Sequence, residues 1–269
     1  MPELPEVENI RRYLIARRVP GRRITGAEVR WPRLVKAPDL EGFVTGVIGR
    51  RVGAVMRHGK YLLLSLDRGV LGLHMGMTGS VRVAGPDDAA ERFVHATLRF
   101  DDGRRIDLND PRKWASLWLV DRADQIVGDL GPDAVDPTFT VDDFVSRVER
   151  RSAPIKSVLL DQAVLAGVGN IYADEALFRA GIRPTRPANR ISRPRLELLH
   201  RAVLDSLAHA VEYIGGHPLA DGRPFVVDAY DGRMDLPRRG GGPCPKCGTR
   251  VRTHAFGNRT AYYCPRCQR

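Results

Sequence analysis

Four cysteines, all within the last 26 residues, constrain this chain more than any other feature of its sequence. CPKC at 244–247 and CPRC at 264–267 form a C-x2-C-x16-C-x2-C pattern. Each short pair can place two thiolates on one ion, and the intervening residues make a hairpin that brings the second pair to the first. Four thiolates close a tetrahedral site with no open position, so Cys244, Cys247, Cys264 and Cys267 are expected to hold one structural Zn2+ rather than a catalytic one. Redox dithiols or an iron site are the alternatives, and Gly248 behind one knuckle together with the short hairpin favours zinc. A secreted disulfide framework would spread its cysteines more widely. The hairpin carries Arg250, Arg252, His254, Asn258 and Arg259, with Tyr262 and Tyr263 close by. A basic ribbon fixed by a metal suits nucleic acid, but does not by itself imply an enzyme.

Charge points the same way. The 269 residues hold 43 Lys plus Arg against 32 Asp plus Glu, a formal +11, which favours a polyanionic partner. A merely basic, soluble surface is the plain alternative. No apolar run approaches the length of a membrane span, and acidic residues stand at the N-terminus where a signal peptide would be apolar. The expectation is a cytoplasmic, nucleoid-associated bacterial protein with no membrane partner.

Hydrophobic periodicity divides the remainder. Val7, Ile10, Leu14 and Ile15 make one stripe of an amphipathic helix over 4–18, stopped by Pro20 and Gly21. From about 23 to 120, ITGAEV, VTGVIGRRVGAVMRHGKYLLLSL, VLGLHMGMTGSVRV, HATLRFDDGRRIDL and WASLWLV are short β-rich runs broken by Gly-containing turns, with DDGRR reading as a hairpin. They predict an antiparallel sandwich or barrel covered by the N-terminal helix. DLGPDAVDPT at 129–138 reads as a linker. After it, VDDFVSRVERR, IKSVLLDQAVLAG, NIYADEALFRAG and SRPRLELLHRAVLDSLAHAVEYIGG have helical period, and 217–243 reads as a long polar loop. The fold class is α+β multidomain, divided as 1–130, 131–216, 217–243 and 244–269.

The first residues, MPELPEVE, pose a chemical question. Removal of Met1 would leave Pro2 as a free secondary amine beside Glu3, at the start of a helix. The ordinary explanation is a proline in the first helical turn with acids complementing the helix dipole. The other is an activated nucleophile.

PELPEVE at residue 2, HGKYLL at 58–63, HMGMTGS at 74–80, NDPRKW at 109–114, GVGNIYADEALFRAGIRP at 167–184 and the ending NRTAYYCPRCQ occur in this order over nearly the whole chain. Together they resemble the formamidopyrimidine-DNA glycosylases, and Leu4 favours that branch over the related endonuclease VIII-like one. The resemblance implies an N-terminal β-sandwich, a helix-two-turn-helix domain and a zinc ribbon, with DNA in the cleft between. It implies a bifunctional glycosylase and abasic-site lyase of base excision repair. Such an enzyme would excise 8-oxoguanine and formamidopyrimidines from double-stranded DNA through an N-terminal proline Schiff base, with β,δ-elimination.

By resemblance Pro2 is the nucleophile, Glu3 the proton donor, Lys60 a substrate contact and proton donor in β-elimination, and Arg259 the arginine on the phosphate at the lesion. Glu6 supports the site by hydrogen bonding. Lys156, Asn170, Arg151 and His95 match DNA-contact positions, and Asn170 is also a candidate helix cap. Met77, Arg112 and Trp114 match the residues that fill the space left by an extruded base. Arg259, His95, Met77 and Trp114 also have plainer readings, as surface arginine, strand residue or core hydrophobe, though the charges beside Trp114 imply a loop. The chain departs from the family twice. Trp114 stands where a phenylalanine is usual. Pro237 stands where a tyrosine is usual, with Arg239 matching the following arginine, so the loop around 217–230 does not map residue by residue. A monomer is expected, because one cleft suffices.

Overall fold

The computed structural model describes residues 2–224 and 233–269. Its elements run α1 (Leu4–Ala16), β1 (Ile24–Val29), a 3-10 turn at Pro32–Leu34, β2 (Val35–Ala37) and α2 (Leu40–Val47). A run of strands follows: β3 (Val52–His58), β4 (Tyr61–Leu66), β5 (Val70–His74), β6 (Ser80–Ala84), β7 (Val94–Phe100), β8 (Arg105–Asn109) and β9 (Ser116–Val120). Then come α3 (Asp124–Val127), α4 (Val141–Val148), α5 (Ile155–Leu160), α6 (Asn170–Arg179), a 3-10 turn at Ala188–Arg190, α7 (Arg193–Gly216), β10 (Arg252–Phe256) and β11 (Arg259–Tyr263). The contacts divide the described chain into two compact units, 2–129 with 214–224 and 130–213 with 233–269.

The first unit is a β-sandwich. One sheet has the order β1-β7-β8-β6 and the other β2-β9-β5-β4-β3, with β2 parallel to β9 and the remaining pairs antiparallel. Val7, Ile10 and Leu14 of α1 enter the same core as Leu62 and Leu64 of β4, Leu71 of β5 and Leu98 and Phe100 of β7. Leu62 and Leu64, alternate residues of β4, therefore face one core. VTGV at 44–47 is not strand but the second half of α2. The Asp39 side chain accepts the Gly42 N–H at 2.7 Å, and Phe43 and Val47, one turn apart, bury completely. A cap and an i,i+4 apolar pair outweigh the β-propensity of Val and Thr.

The second unit is helical with a β-ribbon. α6 is buried almost throughout, with Tyr172 and Phe178 fully enclosed. The expected helix over IKSVLLDQAVLAG closes after six residues. The Asp161 carboxylate accepts the Ala163 N–H at 3.0 Å, an alternative to continuing the helix. Gln162 ties the following loop, donating to the Val168 carbonyl at 2.8 Å and accepting the Gly167 N–H at 3.1 Å. Residues 225–232 of the expected long loop, and Met1, lie outside the described residues.

Candidate active site and nucleic-acid interface

The N-terminal helix begins one step later than a proline-initiated helix would. Its cap is Glu3, in extended conformation, and Pro5 occupies the first turn, where its missing N–H is no loss. Pro2 thus lies outside the helix, directly before the cap. Glu6 bends back so that its carboxylate accepts the Glu3 N–H at 2.9 Å. Pro2, Glu3 and Glu6 are all buried, Glu3 to 1% exposure. The Glu3 side chain accepts the Glu6 N–H in return, so the two residues form a capping box that an ordinary helix start also uses, here enclosed together with Pro2.

Lys60 sits in the two-residue turn joining β3 to β4, after Gly59 with its positive φ of 56°. A glycine at the first turn position suits the twist of a tight hairpin. An ordinary turn lysine is solvated, yet Lys60 is only 8% exposed. Tyr61 pairs with His74 across β4 and β5, their rings 4.8 Å apart. Burial and then the Lys60 charge push the His74 imidazole down to about 4, so it is neutral near pH 7. Its Nδ1 accepts the Gly76 N–H at 3.1 Å, which leaves the proton on Nε2. His74 belongs with Lys60, and sequence reasoning missed it. The signal was present in HMGMTGS, where a histidine ends a strand just before a glycine turn.

Two loops of the first unit carry the expected wedge residues. The Asp110 carboxylate, fully buried, accepts from Thr78 Oγ1 at 2.5 Å and from the N–H groups of Arg112 at 3.1 Å, Trp114 at 2.6 Å and Ala115 at 2.8 Å. One carboxylate therefore ties loop 75–79 to loop 110–115. Gly76 has φ +58°, and a Cβ there would meet the Trp114 carbonyl at 2.5 Å. Trp114 is 57% exposed, with the Arg112 guanidinium 5.2 Å from its ring centroid. This placement excludes the plain reading of Trp114 as core. Met77 is half-buried. Lys113, at φ +58°, turns its ammonium to 4.3 Å from the Trp31 ring centroid. His95 lies at a register shift of β7 against β8, and its Nε2 is buried without a hydrogen-bond partner. Bulges of this kind re-aim side chains beside functional sites. A hollow of about 500 Å³ in the same unit is walled by Phe93, Pro111, Leu219 and Pro224, with Thr78, Ser80 and the Glu91–Arg223 ion pair (2.7 Å) at its polar side.

In the second unit Gly169, not Asn170, is the cap of α6. Asn170 is the first helical residue, and its Oδ1 is buried with no hydrogen-bond partner. Gly167 has φ +104°. The N–H groups of a helix start, with the glycines before it, favour an anion there. Arg259 opens β11 after the turn Gly257–Asn258, and is exposed. It lines an open hollow of about 350 Å³ with Ser157, Leu160, Asp161, Phe256 and Asn258. Arg151 is exposed, 3.7 Å from Asp161. Lys156, expected to contact a phosphate, is instead held inside the fold. It is fully buried, its Nζ 2.6 Å from Asp174 Oδ1 and 3.3 Å from the Thr260 carbonyl. Its charge is already matched inside the fold, because an isolated ammonium there would be prohibitive. Of the neighbouring Arg238 and Arg239, Arg238 lies 2.5 Å from Asp174 Oδ2, while Arg239 is exposed.

The four cysteine sulfurs lie within 4.8 Å of one another, with Sγ–Sγ distances of 3.9 Å for Cys244–Cys267 and 3.5 Å for Cys247–Cys264. A tetrahedron of Zn–S bonds requires S–S spacings of ~3.8 Å. Residue type, number and spacing fit one structural Zn2+. Phe178, Leu236 and Val251 pack behind it, and Gln268 joins the Cys264 N–H to the Ile182 carbonyl.

Comparison with known proteins agrees along the whole length. The Formamidopyrimidine-DNA glycosylase N-terminal domain model matches residues 1–117, its H2TH domain model residues 130–218, and the zinc finger found in FPG and IleRS residues 241–269. The chain belongs to the formamidopyrimidine-DNA glycosylase family. It is 43% identical over 282 residues to the Variovorax paradoxus formamidopyrimidine-DNA glycosylase, covering all of both chains. It is 38% identical over 276 residues to that of Pelotomaculum thermopropionicum, covering 100% of this chain and 99% of the other. Among solved structures, the Lactococcus lactis Fpg in complex with a FAPY-dG-containing DNA superposes with TM-score 0.87 at 29% identity, over 99% of this chain and 100% of that one. MutM in complex with carbocyclic 8-oxo-G-containing DNA gives TM-score 0.87 at 30% identity, with both chains fully covered.

Proposed function

We propose that the Pro2 nitrogen, exposed by removal of Met1, is the nucleophile of a β,δ-eliminating glycosylase. As a member of its family the protein is a bifunctional DNA glycosylase and abasic-site lyase that removes formamidopyrimidine and 8-oxoguanine lesions in base excision repair. The observation that carries the residue-level reading is the enclosed Pro2–Glu3 pair directly ahead of α1.

An α-amine titrates at ~7.7–8.0, so part of it is neutral near pH 7, and the positive end of α1 favours the neutral form further. The Pro2 lone pair forms the N–C1′ bond while the C1′–base bond breaks, and the base leaves with that electron pair and a proton. Glu3 protonates the ring oxygen as the sugar opens, which leaves an iminium between C1′ and the proline nitrogen. A secondary amine makes this a fixed cation, a sink for the electrons released when C2′ loses its proton. The 3′ phosphate then departs from C3′, and loss of the C4′ proton expels the 5′ phosphate from C5′. Lys60, beside neutral His74, is placed to move a proton in the first elimination. Arg259 meets a phosphate through its planar guanidinium. Asn170, with an unsatisfied side-chain oxygen at a helix start, and His95, with an unsatisfied ring nitrogen, are further DNA contacts in this reading, as is Arg151. Met77, Arg112 and Trp114 fill the stack, and the apolar hollow behind their loops receives the everted base. In this reading 1–130 is the catalytic part, 131–216 holds the duplex, 217–243 covers the base and 244–269 grips the backbone. The protein acts as a monomer on bacterial chromosomal DNA in the cytoplasm.

Borohydride reduction on a duplex with 8-oxoguanine opposite cytosine tests the nucleophile, using protein whose mass shows Met1 absent. A covalent adduct is expected from the wild type and none from Pro2→Gly, which should still bind the duplex. A Pro2→Gly variant that cleaves at the wild-type rate would refute the assignment.

A further inference from the structure

The structure assigns Asp174 to the placement of Arg259, as a positioning residue that acts through the ribbon backbone. The inference rests on the reading of Arg259 as a phosphate contact.

β10 and β11 form a two-stranded ribbon, so one edge of β11 has no strand beside it among the described residues. That edge is met by side chains instead. Lys156 Nζ donates to the Thr260 carbonyl at 3.3 Å, and Asp174 Oδ2 accepts the Tyr262 N–H at 3.2 Å. A C=O and the N–H two residues on are the groups that a neighbouring strand would pair on one edge. Here a lysine donor and an aspartate acceptor, 2.6 Å from each other, take the place of that strand. Both are fully buried, so the pair has one geometry. Arg259 is the residue immediately before the first of these two contacts.

The same carboxylate reaches the other end of the interface. Asp174 stands four residues after Asn170 on α6, on the same helix face. Arg238 bridges them, donating to Asp174 Oδ2 at 2.5 Å and to the Asn170 carbonyl at 3.2 Å, with its guanidinium 4.9 Å from the Tyr262 ring centroid. Burial pushes the Asp174 carboxyl up, and Lys156 and Arg238 pull it back. One ion cluster therefore fixes the spacing between the α6 start and the ribbon arginine, two of the anion-seeking features of this unit. Zinc sets the shape of the ribbon at its base, and Asp174 sets where its tip lies.

A double-mutant cycle tests the assignment. Affinity for a duplex carrying an abasic-site analogue is measured across a salt series for wild type, Asp174→Asn, Arg259→Ala and the double variant, with bound zinc quantified by native mass spectrometry. Arg259→Ala and Asp174→Asn are each expected to weaken binding about tenfold, and the double variant no further than the weaker single. Each should lower the salt slope by ~0.9, one phosphate's share, with zinc retained. A general loss of stability would leave the slope unchanged. Additive losses with zinc retained would overturn the assignment. If Arg259→Ala binds like the wild type, the reading of Arg259 itself fails, which is a separate outcome. Should Asp174→Asn shed its zinc, Arg238→Ala replaces it in the cycle, since Arg238 touches the carboxylate but not the β11 backbone. A smaller loss, again absorbed by Arg259→Ala, is then expected, and additivity again overturns the assignment.

Discussion

Two buried carboxylates organise the two candidate surfaces by opposite means. Asp110 holds the loops proposed to wedge the duplex with uncharged donors, a hydroxyl and three backbone N–H groups. Asp174 holds the ribbon with two cations and one N–H. Three of the four Asp110 donors lie two, four and five residues ahead in the chain, so the loop closes on itself. The partners of Asp174 lie 18, 64 and 88 residues away. The first anchor forms wherever its own loop forms. The second exists only when α5, α6, the connector and the ribbon are all in place, so the ribbon's position reports on the folding of the whole unit.

The ionic anchor should be the more costly to break. Lys156→Met removes one charge from a buried pair, for which ~3 kcal/mol is expected, the low end of such losses because Arg238 still faces Asp174. Urea unfolding of the zinc-loaded protein measures it. A loss under ~1 kcal/mol would place Lys156 among ordinary exposed ion pairs and dissolve the contrast.

Asp110→Ala should cost somewhat less, about 2–3 kcal/mol, because the four abandoned donors are neutral and those near the surface recover water. Its signature is functional. Arg112, Lys113 and Trp114 lose their fixed backbone, so excision of a base from duplex should fall more than cleavage at a preformed abasic site, where no base has to be extruded. Equal losses on both substrates would show that the loop does not serve extrusion.

This contrast also explains what could be read in the chain. Cysteine spacing, the Pro2–Glu3 start and the NDPRKW loop are local patterns, and each places its atoms through its own few residues. Lys156 is different. Nothing within a turn of it announces Asp174, so a lysine at a helix start reads as a solvated phosphate ligand, whereas the fold buries it completely. Lys60 and His74 meet only through the β4–β5 register. The α2 helix was hidden by a Val-Thr-Gly-Val run whose strand propensity its cap and packing override.

His74 gives the wedge side a pH-dependent check. Folded His74 binds its proton only near about 4, whereas the unfolded imidazole does so near 6.5. Between those values the unfolded state holds more protons, so stability falls as pH drops through the window. By pH 5 about 2 kcal/mol of the stability present at pH 7 should be gone. The difference in urea midpoint between wild type and His74→Gln, followed from pH 7 to 5, isolates this contribution from the other histidines. A constant difference would mean that His74 titrates normally in the fold.

The smallest expected effect sharpens the comparison most. Lys113 on Trp31 is the most distant contact described above for loop 110–115, joining residues 82 positions apart across an exposed cation–π distance of 4.3 Å. Trp31→Leu should cost only ~0.5–1 kcal/mol of stability, because the ammonium regains water when the ring is lost. If Asp110 alone positions the loop, discrimination between cytosine and adenine opposite the lesion should be unchanged in Trp31→Leu, since Arg112 keeps its backbone hydrogen bond. A shift in that discrimination, with stability barely altered, would show that this loop too depends on a distant partner, and that local closure accounts for its shape but not for its aim.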